Sequence, residues 1–143
     1  MRRLPNPFLL LALLAIGATQ TGQGADTDPR TSLGMTDAER ITFLAEMRQM
    51  LASIQGILAG IGAEDREAIA AAARLSGNRM ARATPPSLRA RLPQAFKEIG
   101  GPTHLLFEEI AVRAETDDMA DLSTLTGKTL EQCLACHARF RVD

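Results

Sequence analysis

The chain has no tryptophan and no tyrosine, and five phenylalanines make up its whole 3% aromatic content. A core without large aromatics has to be built from Leu, Ile, Ala and Met. Cysteine and histidine are equally scarce, two of each in 143 residues. Charge of one sign is missing too: 16 basic residues stand against 17 acidic ones, a net charge of −1. With no basic stripe and no aromatic platform, nucleic acid is not an expected partner. No run alternates with period two, so strand-based folds lose their support. Internal repeats and low-complexity tracts are absent, and the length suits one domain with a modest core. No general acid and base pair stands out, so independent catalysis is not expected and the chain does not read as an enzyme.

What is present begins with an export pattern. Arg2 and Arg3 precede an apolar run over residues 8–18, and small and polar residues follow to Ala25. The run is too short for an ordinary transmembrane helix. Residues 1–25 therefore read as a signal peptide, and membrane contact would come only through this leader if it stayed uncleaved. Without Arg2 and Arg3 the 16 basic residues fall to 14, and the balance against 17 acids becomes −3. Residues 26–35 read as a polar linker and residues 36–143 as the folded domain.

In that domain the pattern is helix after helix. Thr36-Asp37-Ala38-Glu39 is a capping box, in which a hydroxyl and a carboxylate satisfy free amides at a helix start. A first helix is expected from there to about Gly60, with Leu44, Met47, Leu51, Ile54 and Leu58 on its core face. A second is expected over residues 64–83, with Ile69, Ala73, Ser76 and Met80 inward. Thr84-Pro85-Pro86 breaks the pattern. Residues 84–101 read as a long, partly helical crossing that Gly100-Gly101-Pro102 ends. A third helix is expected from about Thr103 to Glu115, with Leu106, Phe107, Ile110 and Ala114 inward. The last is expected from about Asp118 to Arg141, its acidic start favoured by the helix dipole. Four amphipathic helices with mostly short links give an all-α fold, an antiparallel four-helix bundle, in which cofactors sit between facing helices.

The scarce residues are concentrated in one place. Cys133-Leu134-Ala135-Cys136-His137 uses both cysteines and one of the two histidines. Cys-x-x-Cys-His is the attachment sequence of c-type haem. At positions i, i+3 and i+4 of a helix, both sulfurs and the imidazole share one face. Each thiol can then form a thioether with a porphyrin vinyl group while His137 gives a nitrogen to the iron on the proximal side. A haem also supplies the large flat apolar group that this core lacks. A thioredoxin-like couple would need a strand leading into a helix near a βαβ pattern, and none is present. A structural zinc site would need Cys133, Cys136, His137 and the remote His104 around one small ion, and adjacent Cys136 and His137 are poorly placed for that.

A leader, four helices and a single Cys-x-x-Cys-His on the last helix resemble the class II c-type cytochromes, the cytochrome c prime group and its low-spin relatives. His137-Ala138-Arg139-Phe140-Arg141 is similar to that group's ending, in which an aromatic and a basic residue follow the haem histidine by three and four positions. The resemblance implies one covalent haem c per chain, held between the first and last helices with His137 as fifth ligand. Phe140 and Phe43 are core aromatics that would also touch the haem, and Arg141 is placed to meet a propionate. For the distal face the resemblance implies a residue about three turns into the first helix, a Met in low-spin members or an apolar residue in five-coordinate ones. Counting from the capping box reaches Met47; counting four from Arg40 reaches Leu44; Met50 lies a turn further on. His104 competes for the same role from the third helix. The expected function is a periplasmic one-electron carrier serving redox partner proteins, with binding or sensing of diatomic gases such as NO or CO as the alternative. The resemblance also admits a homodimer paired through the first two helices.

Overall fold

The computed structural model describes residues 28–143, so the expected signal peptide and the start of the expected linker lie outside the described residues. The described chain is all-α apart from one short strand pair. Helix α1 spans Asp37–Ala63 and opens on the expected capping box. The Thr36 hydroxyl accepts from the Glu39 amide at 3.3 Å, and the Glu39 carboxylate accepts from the Thr36 amide at 2.9 Å. The helix closes at Glu64, whose left-handed backbone (φ 53°) turns the chain. Asp65 then caps α2 (Arg66–Arg74) by accepting from the Ala68 amide at 2.9 Å. A two-residue link therefore lays α2 back along α1.

The approach of these two helices is set by small residues. A Cβ on Gly60 would lie 2.7 Å from Ile69 Cγ1 and 3.0 Å from its backbone nitrogen, and one on Gly56 would lie 2.8 Å from Ala72 Cβ. Turning Gly56 and Gly60 toward α2 keeps part of the expected stripe in the core: Ile54 is buried and Met47 packs against the same cluster. The buried face is Met50, Ser53, Ile54, Ile57 and Gly60, while Leu51 and Leu58 are 68% and 47% exposed. Close helix packing outweighed apolar area here.

The second helix expected over 64–83 is two helices. α2 ends at Arg74 and α3 (Asn78–Ala83) restarts after a buried Ser76–Gly77 corner. The corner is held by a 2.8 Å bond between the Ser53 and Ser76 hydroxyls and by Glu108, whose carboxylate accepts from the Asn78 amide at 3.0 Å. α4 (Pro86–Arg91) follows with Pro at its first position. α5 (Gln94–Arg113) then runs unbroken through Gly100-Gly101-Pro102, where the sequence pattern ends a segment. Pro102 lies inside the helix and so gives up one backbone bond. Ile99, Thr103, Phe107 and Ile110, all buried and spaced by three and four, compensate. α6 (Met119–Arg139) starts at Asp118, which accepts from the Asp121 amide at 2.8 Å.

α6 stops two residues short of its expected end. Phe140–Arg141 forms β2, paired in parallel with β1 (Thr31–Ser32), and the Leu33 amide donates to the Arg141 carbonyl at 2.9 Å. The end of the expected linker is thus docked, with Leu33 buried.

α1 packs on α2 and α6, and α5 packs on the same two helices. Their apolar faces form two clusters. The first joins Met50, Ile54 and Ile57 of α1, Ile69 and Ala73 of α2, Phe107 and Ile110 of α5 and Leu122 and Leu125 of α6. The second joins Leu33, Leu88, Leu92, Ile99 and Phe140, with Phe43, Phe96 and Cys136 against them. This second cluster gathers the start of α1, the start of α5 and the end of α6 at one end of the molecule.

Candidate cofactor cavity

A cavity of about 880 Å³ is lined by members of both clusters. That is within the ~300–1,000 Å³ usual for cofactor sites. Along α6 it meets Leu130, Cys133, Cys136 and His137; along α1 it meets Leu44, Met47, Met50 and Leu51; from α5 come Phe96, Thr103 and His104. Phe140, Arg141 and Val142 close it beyond α6. Every site residue expected from the sequence therefore lies on this one cavity: Cys133, Cys136, His137, Met47, Met50, His104, Phe140 and Arg141.

The two cysteines are free and half-buried. Burial pushes both thiols above the ordinary cysteine range, and Cys136 is pushed further by Cys133. Among the described residues no three His, Cys, Asp or Glu side chains converge as a bare metal-ion site. His137 is exposed on the same helical turn, and its carbonyl accepts from the Arg30 guanidinium at 3.3 Å.

Phe140 is buried and meets Phe96 edge-on at 5.5 Å, while Phe96 lies 6.0 Å from Phe43. Three of the five phenylalanines are thus stacked along one wall. Arg141 pairs with Asp143 and donates to the Arg30 carbonyl at 3.3 Å. Met50 is 9% exposed and belongs to the first cluster, and Met47 packs against that cluster half-buried. His104 sits in the middle of α5 rather than in a first turn, and its Nδ1 lies 2.7 Å from the Ser76 carbonyl.

The charge around the cavity is one-sided. Arg48, Arg82, Arg89 and Lys97 line it, and none of the four has an acidic partner within ion-pair distance among the described residues. Arg89 instead donates to the carbonyls of Ala81, Arg82 and Thr84 at 3.0–3.4 Å. Among the described residues the sole acid on the wall is Glu46, whose carboxyl burial pushes upward. An apolar slot with unpaired cations at its edge suits a flat apolar group that carries carboxylates. The basic residues of this rim lie far apart in the chain, so no run of charge in the sequence pointed to them.

The one membrane-related observation is that no helix among the described residues is long and apolar enough to cross a bilayer. No protein-family model, curated protein or solved structure matches the chain.

Proposed function

We propose that this chain is a periplasmic monohaem c-type cytochrome that carries single electrons, built as an antiparallel four-helix bundle of α1, α2, α5 and α6. The observation that carries the reading is that Cys133, Cys136 and His137, a c-type attachment motif, line one large apolar cavity edged by unpaired cations. Bound there, haem would supply a reversible ferric–ferrous couple. Cys133 and Cys136 would hold it covalently, and His137 would ligate the iron. Phe140 and Phe96 would pack on its apolar surface, and Arg48, Arg82 and Lys97 would receive its propionates. Water exclusion by the Leu33, Leu92 and Phe140 cluster would favour the less charged state of the couple.

The carrier reading is preferred to gas binding because the cavity wall bears further donors, Met47 and His104, that can fill the second axial position. An open distal face is what a gas binder needs. The absence of an acid–base pair supports a non-enzymatic role, and the leader pattern supports export to the periplasm, where redox proteins would be its partners. Exposed Leu58 on α1, outside the cavity lining, supports pairing of two chains along that helix.

Protein made in a host with periplasmic haem attachment is expected to keep haem on a denaturing gel and to cycle by one electron. Haem extracted by acidified organic solvent would overturn the assignment.

A further inference from the structure

We propose that His104 is the second axial ligand of the iron, opposite His137, and that Met47 and Met50 serve as packing residues. The proposal rests on the haem reading above and specifies how that haem is held.

The hydrogen bond to Ser76 fixes the chemistry of the ring. A backbone carbonyl only accepts, so the 2.7 Å contact places the proton on His104 Nδ1. A neutral imidazole carries one such proton, which leaves Nε2 with a lone pair. No other residue among the described ones bonds this ring. The side chain lies on the wall of the cavity that Cys133, Cys136 and His137 also line. A histidine that donates Nδ1–H to a carbonyl and keeps Nε2 for a metal is the arrangement that orients metal-bound imidazoles. Imidazole also suits iron well.

The anchor is itself rigid. Ser76 is fully buried, and its hydroxyl is 2.8 Å from that of buried Ser53, so α1, the α2–α3 corner and α5 are joined behind the ring. The second cluster brings the starts of α1 and α5 to the same end as the close of α6. Phe43 of α1 faces Phe96 of α5, so His104, eight residues beyond Phe96, stands about four residues further along the bundle than Met47, four beyond Phe43. At 1.5 Å per residue that offset is about 6 Å, toward Ser53 and Ser76. Both residues line the cavity, and the hydrogen bond decides between them. Met50 is packed into the first cluster and Met47 lies against it, with flexible thioethers and no polar anchor. His104 is held by its bond to the Ser76 carbonyl.

The test uses the haem-loaded chain. A denaturing gel comes first, because absence of covalent haem there would defeat the haem reading itself and not this assignment. The ferric spectrum of the unmutated protein is expected to be low-spin without the weak far-red band of sulfur-to-iron charge transfer. His104→Ala is expected to lose the low-spin spectrum and, once reduced, to take up carbon monoxide readily; added imidazole should restore the low-spin form. His104→Met is expected to gain the sulfur band, and Met47→Leu to leave the spectrum unchanged. A far-red band in the unmutated protein that Met47→Leu abolishes would overturn the proposal. So would a high-spin unmutated protein, whatever the variants do.

Discussion

The two apolar clusters solve different problems with different residues. The first is closed: Ile57, Ile69, Ala73, Phe107, Ile110, Ala114 and Leu122 are at 0–1% exposure, and Gly56 and Gly60 let α1 and α2 nearly touch. Helices α2 and α6 are capped by Asp65 and Asp118, and the hydroxyls of Thr126 and Thr129 donate along their own helix to the carbonyls of Leu122 and Leu125. The second is open. It carries three phenylalanines, the proline-led helices α4 and α5, and a cavity, and it is held by tethers such as Arg91 to Glu39. One end is filled by its own side chains; the other holds a cavity lined by Arg48, Arg82, Arg89 and Lys97.

The comparison can be broken most severely at the open end. Cys133→Ala combined with Cys136→Ala is expected to remove all gel-retained haem, while haem-free unmutated and variant chains should unfold at the same temperature, because neither thiol belongs to the closed cluster. A large drop in stability of the haem-free variant would show that the ends are not separable. Next in size is Phe107→Ala, which empties a fully buried site and should cost about 3–5 kcal/mol in denaturant unfolding. Gly60→Ala should cost less, about 1–3 kcal/mol, since its Cβ meets the Ile69 backbone, which cannot move aside as a side-chain tip can. A neutral Gly60→Ala would mean that the α1–α2 approach is looser than it looks.

The smallest effects belong to the capping box. Thr36→Ala should cost about 1 kcal/mol. Glu39 is held down to about 2 from the ordinary glutamate value of 4.5, first by its bond to Arg91 and then by the Thr36 amide and hydroxyl. A carboxylate depressed in the folded chain stabilises it above the ordinary value, and the contribution fades as pH falls from about 4.5 toward 2. Amide protection factors at the start of α1, corrected for the intrinsic exchange rate at each pH, should therefore fall over that window and not in Glu39→Gln. Equal acid sensitivity in both would remove Glu39 as the cause.

Much of this organisation was legible in the sequence where a signal is local. The capping box at Thr36, the acidic start at Asp118 and the inward set Phe107, Ile110 and Ala114 depend on residues three or four apart, and the structure has them as expected. What escaped depends on partners far along the chain. The approach of Gly56 and Gly60 to Ala72 and Ile69 of α2 leaves Leu58 of the expected stripe outside, while Ile54 is buried and Leu44, Met47 and Leu51 line the cavity. The break at Ser76–Gly77 needs Ser53 and Glu108. The passage of α5 through Pro102 needs a buried Phe107 and Ile110 beyond it. A strand two residues long has no period to detect. For the site, the motif identified one wall; the tautomer of His104 required the carbonyl that only folding brings to it.

The parallel strand pair has a consequence in time as well as in space. It joins Thr31–Ser32 to Phe140–Arg141, and Arg30 donates to the carbonyl of His137 across 107 residues. Contacts of such separation close the largest loop in the chain and are slow to form relative to helix turns and helix pairs. The α1–α2 and α5–α6 pairs, joined by short links, can assemble while Cys133 and Cys136 are still reachable from solvent. The pairing of residues 31–33 with 140–141 is then the contact set last, at the end of the molecule where Cys136 packs.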